Sequence, residues 1–160
     1  MELLVRTAEP GDITAIVHGN IAMALEAEHK QLDPATVERG VRGVFEDPSR
    51  GRYFVAETDG RVVGQAMYTT EWSDWRCGDF WWFQSVYVVP EARRLGVFRA
   101  LYQHVEQLAA AEPGVCGLRL YVERGNLRAQ QTYRRCGMRD AGYVVMEVDM
   151  SGAVKSARGG

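Results

Sequence analysis

Apolar positions recur along the chain at two spacings, and each change of spacing marks a change of element. LLVRTAEP, residues 3–10, reads as a short strand closed by Pro10. From Asp12 the spacing turns helical through Ile13, Ile16, Val17, Ile21, Met23 and Leu25, with Asp12 as the candidate cap. Asp33-Pro34 pairs a capping residue with proline at the first helical position. The helix it opens carries Val37, Val41, Val44 and Phe45 and ends near Asp47-Pro48. YFVAETDGRVVGQAMYTTEW, residues 53–72, reads as two strands around Asp59-Gly60, a hairpin pair. WSDWRCGDF, residues 72–80, predicts a polar, aromatic loop. FWWFQSVYVV, residues 80–89, is strongly strand-prone and is stopped by Pro90.

Residues 94–112 predict a helix with Phe98, Leu101, Tyr102, Val105, Leu108 and Ala109 on its apolar face. Glu112-Pro113-Gly114 breaks it, and VCGLRLYV, residues 115–122, follows as a strand. A helix from Asn126 to Cys136 is stopped by Gly137, and YVVMEVDM, residues 143–150, reads as a last strand. The order β-α-α-β-β-β-α-β-α-β predicts an α/β fold, a mixed sheet flanked by helices. We assign residues 1–150 to a single domain and 151–160 to a flexible tail. Residues 80–122 form a βαβ unit, whose crossover puts a helix N-terminus at the carboxyl end of a strand.

Composition narrows the function classes. With 160 residues, 46% hydrophobic and 25% charged, this is an ordinary soluble chain that suits one core. A net charge of -2 gives no global reason to expect nucleic acid or a membrane as partner. Lys30 and Lys155 are the only lysines among 19 basic residues. The arginine excess suits phosphate recognition, and codon usage can produce it as well. Cys77, Cys116 and Cys136 are odd in number and far apart, so no disulfide framework or zinc motif is expected. His18, His29 and His104 lack ligand spacing, so no metal is expected. With no span-length apolar run and no leader pattern, the expected location is the cytoplasm.

Chemistry concentrates around RRLGVFRALY, residues 94–103. Helix N-termini leave amide hydrogens unpaired at the positive end of the dipole, and Gly96 bares the backbone there. Arg93, Arg94 and Arg99 add charge. The spacing alone leaves two readings open, a diphosphate cradle or a solvated helix start. GxxxxGK[ST] and GxGxxG are both absent, which excludes the common nucleotide loops.

YVVPEARRLGVFRALY, residues 87–102, resembles the acetyl-CoA motif of the GNAT N-acetyltransferase superfamily, Q/R-x-x-G-x-G/A, with Arg93 first and Gly96 fourth. Phe98 departs from the small sixth residue, and its i, i+3, i+4, i+7 relation to Leu101, Tyr102 and Val105 turns it toward the core. LRLYVERGNLRAQQTYRRCGM, residues 118–138, resembles the second half, N-x-x-A-x-x-x-Y-x-x-x-G, at Asn126, Ala129, Tyr133 and Gly137. The resemblance covers nearly the whole chain. It implies a GNAT fold, acetyl-CoA as cofactor and acetyl transfer to a primary amine. The cofactor contacts it implies are Arg93, Arg94, Leu95, Gly96, Val97, Phe98 and Arg99 for the diphosphate. Val86, Tyr87 and Val88 would serve the pantetheine arm, and Asn126, Ala129 and Tyr133 one helix face.

Tyr133 is implied as the acid that protonates the departing thiolate. Glu71 and Asp74 are the candidate bases. Glu26 and Glu28, with Trp72, Trp75 and Gln84, are candidates for the acceptor side, where aromatic faces and carboxylates suit a cationic small amine. Trp81 and Trp82 are expected on opposite faces of their strand. Homodimers are frequent in the family. The alternatives are a non-catalytic acyl-CoA-binding or sensing module and an enzyme acting on protein N-termini or lysines.

Overall fold

The structure, a computed structural model, describes residues 2–151. Its elements are β1 (Leu4–Thr7), α1 (Ile13–Glu28), α2 (Pro34–Glu46), β2 (Arg52–Thr58), β3 (Arg61–Ser73), β4 (Gly78–Val88), α3 (Val97–Ala111), β5 (Val115–Leu120) and α4 (Leu127–Arg135). The chain divides into two compact units at Tyr121/Val122.

The first unit holds one five-stranded mixed sheet in the order β1-β2-β3-β4-β5. Neighbours are antiparallel except β4 and β5, which are parallel and joined through α3. The Asp59-Gly60 turn has both residues at positive φ, 50° and 73°, as a tight hairpin between right-twisted strands requires. Helices cover both faces. Ile13, Ile16 and Val17 of α1 and Val41 of α2 pack on Tyr53, Val55 and Met67 of one face. Phe54, Tyr68, Trp81 and Phe83 lie on the other, toward α3, with Phe54 against His104 and Phe83 against Tyr102. Trp81 and Trp82 do part to opposite faces: Trp81 stacks on Tyr68 at 3.8 Å and Trp82 lies against Tyr121 at 4.4 Å.

Three local features differ from expectation. The loop expected at 72–80 shrinks to a turn at 74–77, because β3 runs on to Ser73 and β4 begins at Gly78. α3 begins at Val97 instead of residue 94, since Arg94 (φ 66°) and Gly96 (φ 80°) are left-handed and cannot be helical. Its deepest residue at that end is Val97, 1% exposed. Val97 packs so close to Gly64 that a Cβ on Gly64 would come within 2.6 Å of it. Phe98 is half-buried against Tyr102. Asp12 stands before α1 but does not cap it; its carboxylate accepts from Glu9 N–H and from Arg6.

In the second unit α4 is capped by Asn126, whose Oδ1 accepts from Ala129 N–H at 3.1 Å, and it stops at left-handed Gly137 (φ 88°). The strand expected at 143–150 is not formed. A strand exists through backbone pairing, which alternation of side chains cannot supply by itself. Residues 143–150 have no ladder partner among the described residues, and Met146 is 86% exposed. Of the expected tail only Ser151 falls within the described residues.

Arg6, Asp12 and Glu57 form the ion cluster that ties the start of the chain to β2, with Arg6–Asp12 at 2.7 Å and Arg6–Glu57 at 2.8 Å. The Arg6 hydrogen bonds hold the Asp12 carboxyl below the usual carboxylate range, against the opposing effect of burial. Asp12→Asn is expected to lower unfolding free energy at pH 7 by about 2 kcal/mol in a urea titration. The Asp12 contribution is complete above its unfolded pKa of about 3.9 and disappears as pH falls through the lower folded value. The variant's deficit therefore shrinks in acid.

Candidate functional site

The two neighbours of β4 part company along its length. β3 pairs with it from Gly78 to Val88, whereas β5 pairs only with Asp79–Phe83. Gln84–Val88 therefore have no ladder partner on the β5 side among the described residues. A bulge accompanies this opening. The register passes from Met67↔Gln84 to Gln65↔Tyr87, so Ser85 and Val86 together face Ala66, and Ser85 takes a φ of 50°. An edge of this kind can accept an extended, amide-bearing ligand as an added strand. Val86, Tyr87 and Val88, the expected main-chain contacts, are the residues on it.

The chain then enters the arginine loop. A turn at Pro90–Ala92 leads to Arg93, left-handed Arg94, Leu95 and left-handed Gly96, which stands at the N-cap of α3. α2 and α4 have side-chain caps, Asp33 and Asn126, but no side chain caps α3. Its first backbone bond runs from Ala100 N–H to Gly96 C=O. Positive dipole, bare backbone and guanidinium groups thus meet at one point. Arg94 and Arg99 are exposed and have no ion pair or side-chain hydrogen bond among the described residues.

Arg93 is engaged. Its Nε donates to Val88 C=O at 2.9 Å and its Nη2 to Glu26 Oε2 at 2.6 Å, with the guanidinium 5.6 Å from the Tyr87 ring centre. Tyr87 hydroxyl donates to Glu26 Oε1 at 3.2 Å. Burial pushes the Tyr87 phenol up, and the Glu26 carboxylate adds to that. The last turn of α1, the open edge and the arginine loop are therefore bound together by three side chains.

The remaining candidates lie elsewhere. Glu28 pairs with Lys30 on the surface, and Gln84 Nε2 donates weakly to Thr69 Oγ1 at 3.4 Å. Glu71 lies opposite Phe80 and pairs with Arg119 at 3.0 Å, with that guanidinium 3.6 Å from the Phe80 ring centre. Phe80 precedes Gln84 by four strand residues, or about 14 Å. Asp74 sits in the β3–β4 turn, accepting from Trp75 N–H. Trp72 and Trp75, 61% and 85% exposed, share this hairpin end. Glu71, Asp74 and the two tryptophans are thus grouped, but at the opposite end of β4 from its open edge. A cavity of about 260 Å³ lies between α1 and α2 against Ile13, Val17, His18 and Ile21, on the first half of α1 rather than beside Glu26.

In the C-terminal unit Ala129 and Tyr133 follow the cap Asn126 along α4. Burial pushes the Tyr133 phenol up, so it holds its proton throughout the neutral range. Sequence reasoning missed Asn20, Tyr53 and Gln65, which form a buried polar chain ending on the Ser85 carbonyl. The available signal was a glutamine inside the apolar run VVGQAMY.

A family model described as the acetyltransferase (GNAT) family matches residues 21–138. No curated protein matches the chain. Among solved structures, a possible acetyltransferase from Clostridium difficile 630 is 37% identical, with 95% of this chain and 100% of that chain covered and a TM-score of 0.88. An integron cassette protein from the mobile metagenome of Cole Harbour Salt Marsh is 23% identical over 94% of this chain and 92% of that one, TM-score 0.81. A Trypanosoma brucei acetyltransferase is 19% identical over 93% and 100%, TM-score 0.69. The last two share the fold.

A Cβ on Gly96 would meet nothing within 4 Å, so its φ of 80° is what requires glycine here. Gly96→Ala is therefore expected to lower thermal stability by about 1 kcal/mol, without any steric clash, in a calorimetric melt.

Proposed function

The chain belongs to the acetyltransferase (GNAT) family, and from that premise we propose that it is an acetyl-CoA-dependent N-acetyltransferase acting on a primary amine of a small molecule by direct attack. The observation that carries this reading is the succession of the one-sided segment Gln84–Val88 and the uncapped, arginine-flanked start of α3. A pantetheine arm has amides that match the first, and a diphosphate has the charge that matches the second.

Acetyl-CoA supplies the acyl group in activated form, as a thioester. Val86, Tyr87 and Val88 would hold the arm by main-chain bonds. The loop Arg93, Arg94, Leu95, Gly96 and the first turn Val97, Phe98, Arg99 would hold the diphosphate, with Arg94 and Arg99 supplying charge. The family pattern assigns Asn126 and Ala129 to the coenzyme as well. Tyr133 keeps a proton on its hydroxyl for the departing sulfur. A phenol at about 10 donating to a thiolate at about 8.5 is uphill only slightly, and the raised Tyr133 value adds to that cost.

An alkyl amine with pKa about 10.4 is about one part in a thousand neutral near pH 7, so its proton must be removed. Glu71 and Asp74, the candidate bases in the sequence, stand at the hairpin end of β4, about 14 Å or more from Gln84, so either would have to take the proton through a long chain of waters. Glu26, Glu28 and Gln84, at the open end of β4, would form the acceptor side, where carboxylates attract an ammonium group. Trp72 and Trp75 stand at the hairpin end, away from it. A cytoplasmic location draws support from the two exposed free thiols, Cys77 and Cys116. A homodimer, frequent in the family, belongs to the same proposal.

Release of free thiol from acetyl-CoA in the presence of an amine panel tests the reading directly. Tyr133→Phe is expected to lower kcat by about 100-fold or more. The wild-type rate should show no alkaline fall before about pH 10, because a phenol with a raised pKa is still protonated there. Arg94→Ala combined with Arg99→Ala is expected to weaken coenzyme A binding about tenfold in calorimetry and to reduce its salt dependence. Absence of binding heat from folded wild-type protein at high coenzyme A concentration would refute the proposal.

A further inference from the structure

A buried chain of amide and hydroxyl groups runs from the helix layer to the bulge in β4. Gln65, in the middle of β3, is 2% exposed. Its Nε2 donates to Asn20 Oδ1 at 2.8 Å and to the Ser85 carbonyl at 3.2 Å. Asn20 belongs to α1, and its Nδ2 donates to the Tyr53 hydroxyl at 3.4 Å. The other side of the Gln65 amide rests on Gly19, where an added Cβ would come within 2.2 Å of Oε1. Gly19 is bare where the amide needs room.

An amide is an odd choice for this position if packing alone matters. Val63, Ala66 and Met67 around it in β3 are apolar and buried. An apolar side chain of similar volume would need no partners, whereas a buried amide without partners is destabilising. What a satisfied buried network adds is a fixed direction for the groups it holds. Here it holds the carbonyl of Ser85, a residue with left-handed φ in the interior of a strand. That conformation is uncommon for a residue with a side chain and persists when its surroundings impose it. The backbone of Val86–Val88 continues directly from that point, so the held carbonyl sets the direction of the open edge.

We propose that Gln65, braced by Asn20 and Tyr53 and seated on Gly19, is a positioning residue that fixes how Val86–Val88 present their amides to the pantetheine arm. The inference rests on the acetyl-CoA reading of the same edge. It acts through Ser85 and touches no reacting atom.

Gln65→Met keeps the length of the side chain and removes its donors. Asn20→Ala, compatible with the helix, releases the brace and serves if the first variant does not fold. Amide hydrogen exchange in the ligand-free protein is expected to quicken about tenfold at Val86 and Tyr87 in either variant, with β1 and α3 unchanged. Calorimetry then compares coenzyme A with adenosine 3′-phosphate 5′-diphosphate, which lacks the arm. Coenzyme A affinity should fall about tenfold and the nucleotide's should not change. Unaltered exchange at residues 86 and 87, or equal losses for both ligands, overturns the positioning role. Wild-type protein that binds neither ligand overturns the acetyl-CoA reading instead, while the exchange experiment still reports on the bulge.

Discussion

The early end of the β4–β5 ladder at Phe83 governs everything else in the site. A backbone amide in a sheet is normally satisfied on both sides. β4 keeps β3 to Val88 but loses β5 five residues sooner, so its last stretch remains a strand with one side open. The bulge at Ser85 makes this geometry durable, because two residues facing one bend the strand away from a regular neighbour. The parallel connection through α3 then delivers a helix start to the end of the same strand. Open edge and cationic loop follow one another with four residues of sequence between them, because the crossover leaves no other order.

Charge around this edge is arranged in pairs with different duties. Arg93 is tied to the protein, while Arg94 and Arg99 face outward. Glu26 is the carboxylate that reaches the edge, through Tyr87 and Arg93. Glu71, equally acidic in sequence terms, answers to Arg119 at the hairpin end. Position along β4, more than residue type, separates the two.

The helices and the tight hairpin were legible because local chemistry specifies them: Asp33-Pro34 starts α2, Asp59-Gly60 turns β2 into β3, and Gly137 stops α4. The arginine loop was legible from Gly96 and its neighbours. What the sequence could not convey was pairing. The opening at Phe83, the bulge at Ser85 and the unformed strand at 143–150 depend on which backbone lies beside which, and apolar alternation does not encode a partner. The same limit explains Gln65, whose role exists only because α1 brings Asn20 and Gly19 over it. It also explains the helix start at 97, since Arg94 carries a φ that residue type would not suggest.

The Arg93 bonds to Val88 and Glu26 have one more consequence. They shape the anion loop from within, by contacts that exist before any ligand arrives. The entropy of ordering that loop is therefore spent during folding and does not subtract from affinity afterwards. A binding surface preorganised in this way should capture its anion by docking alone, with little movement of the main chain.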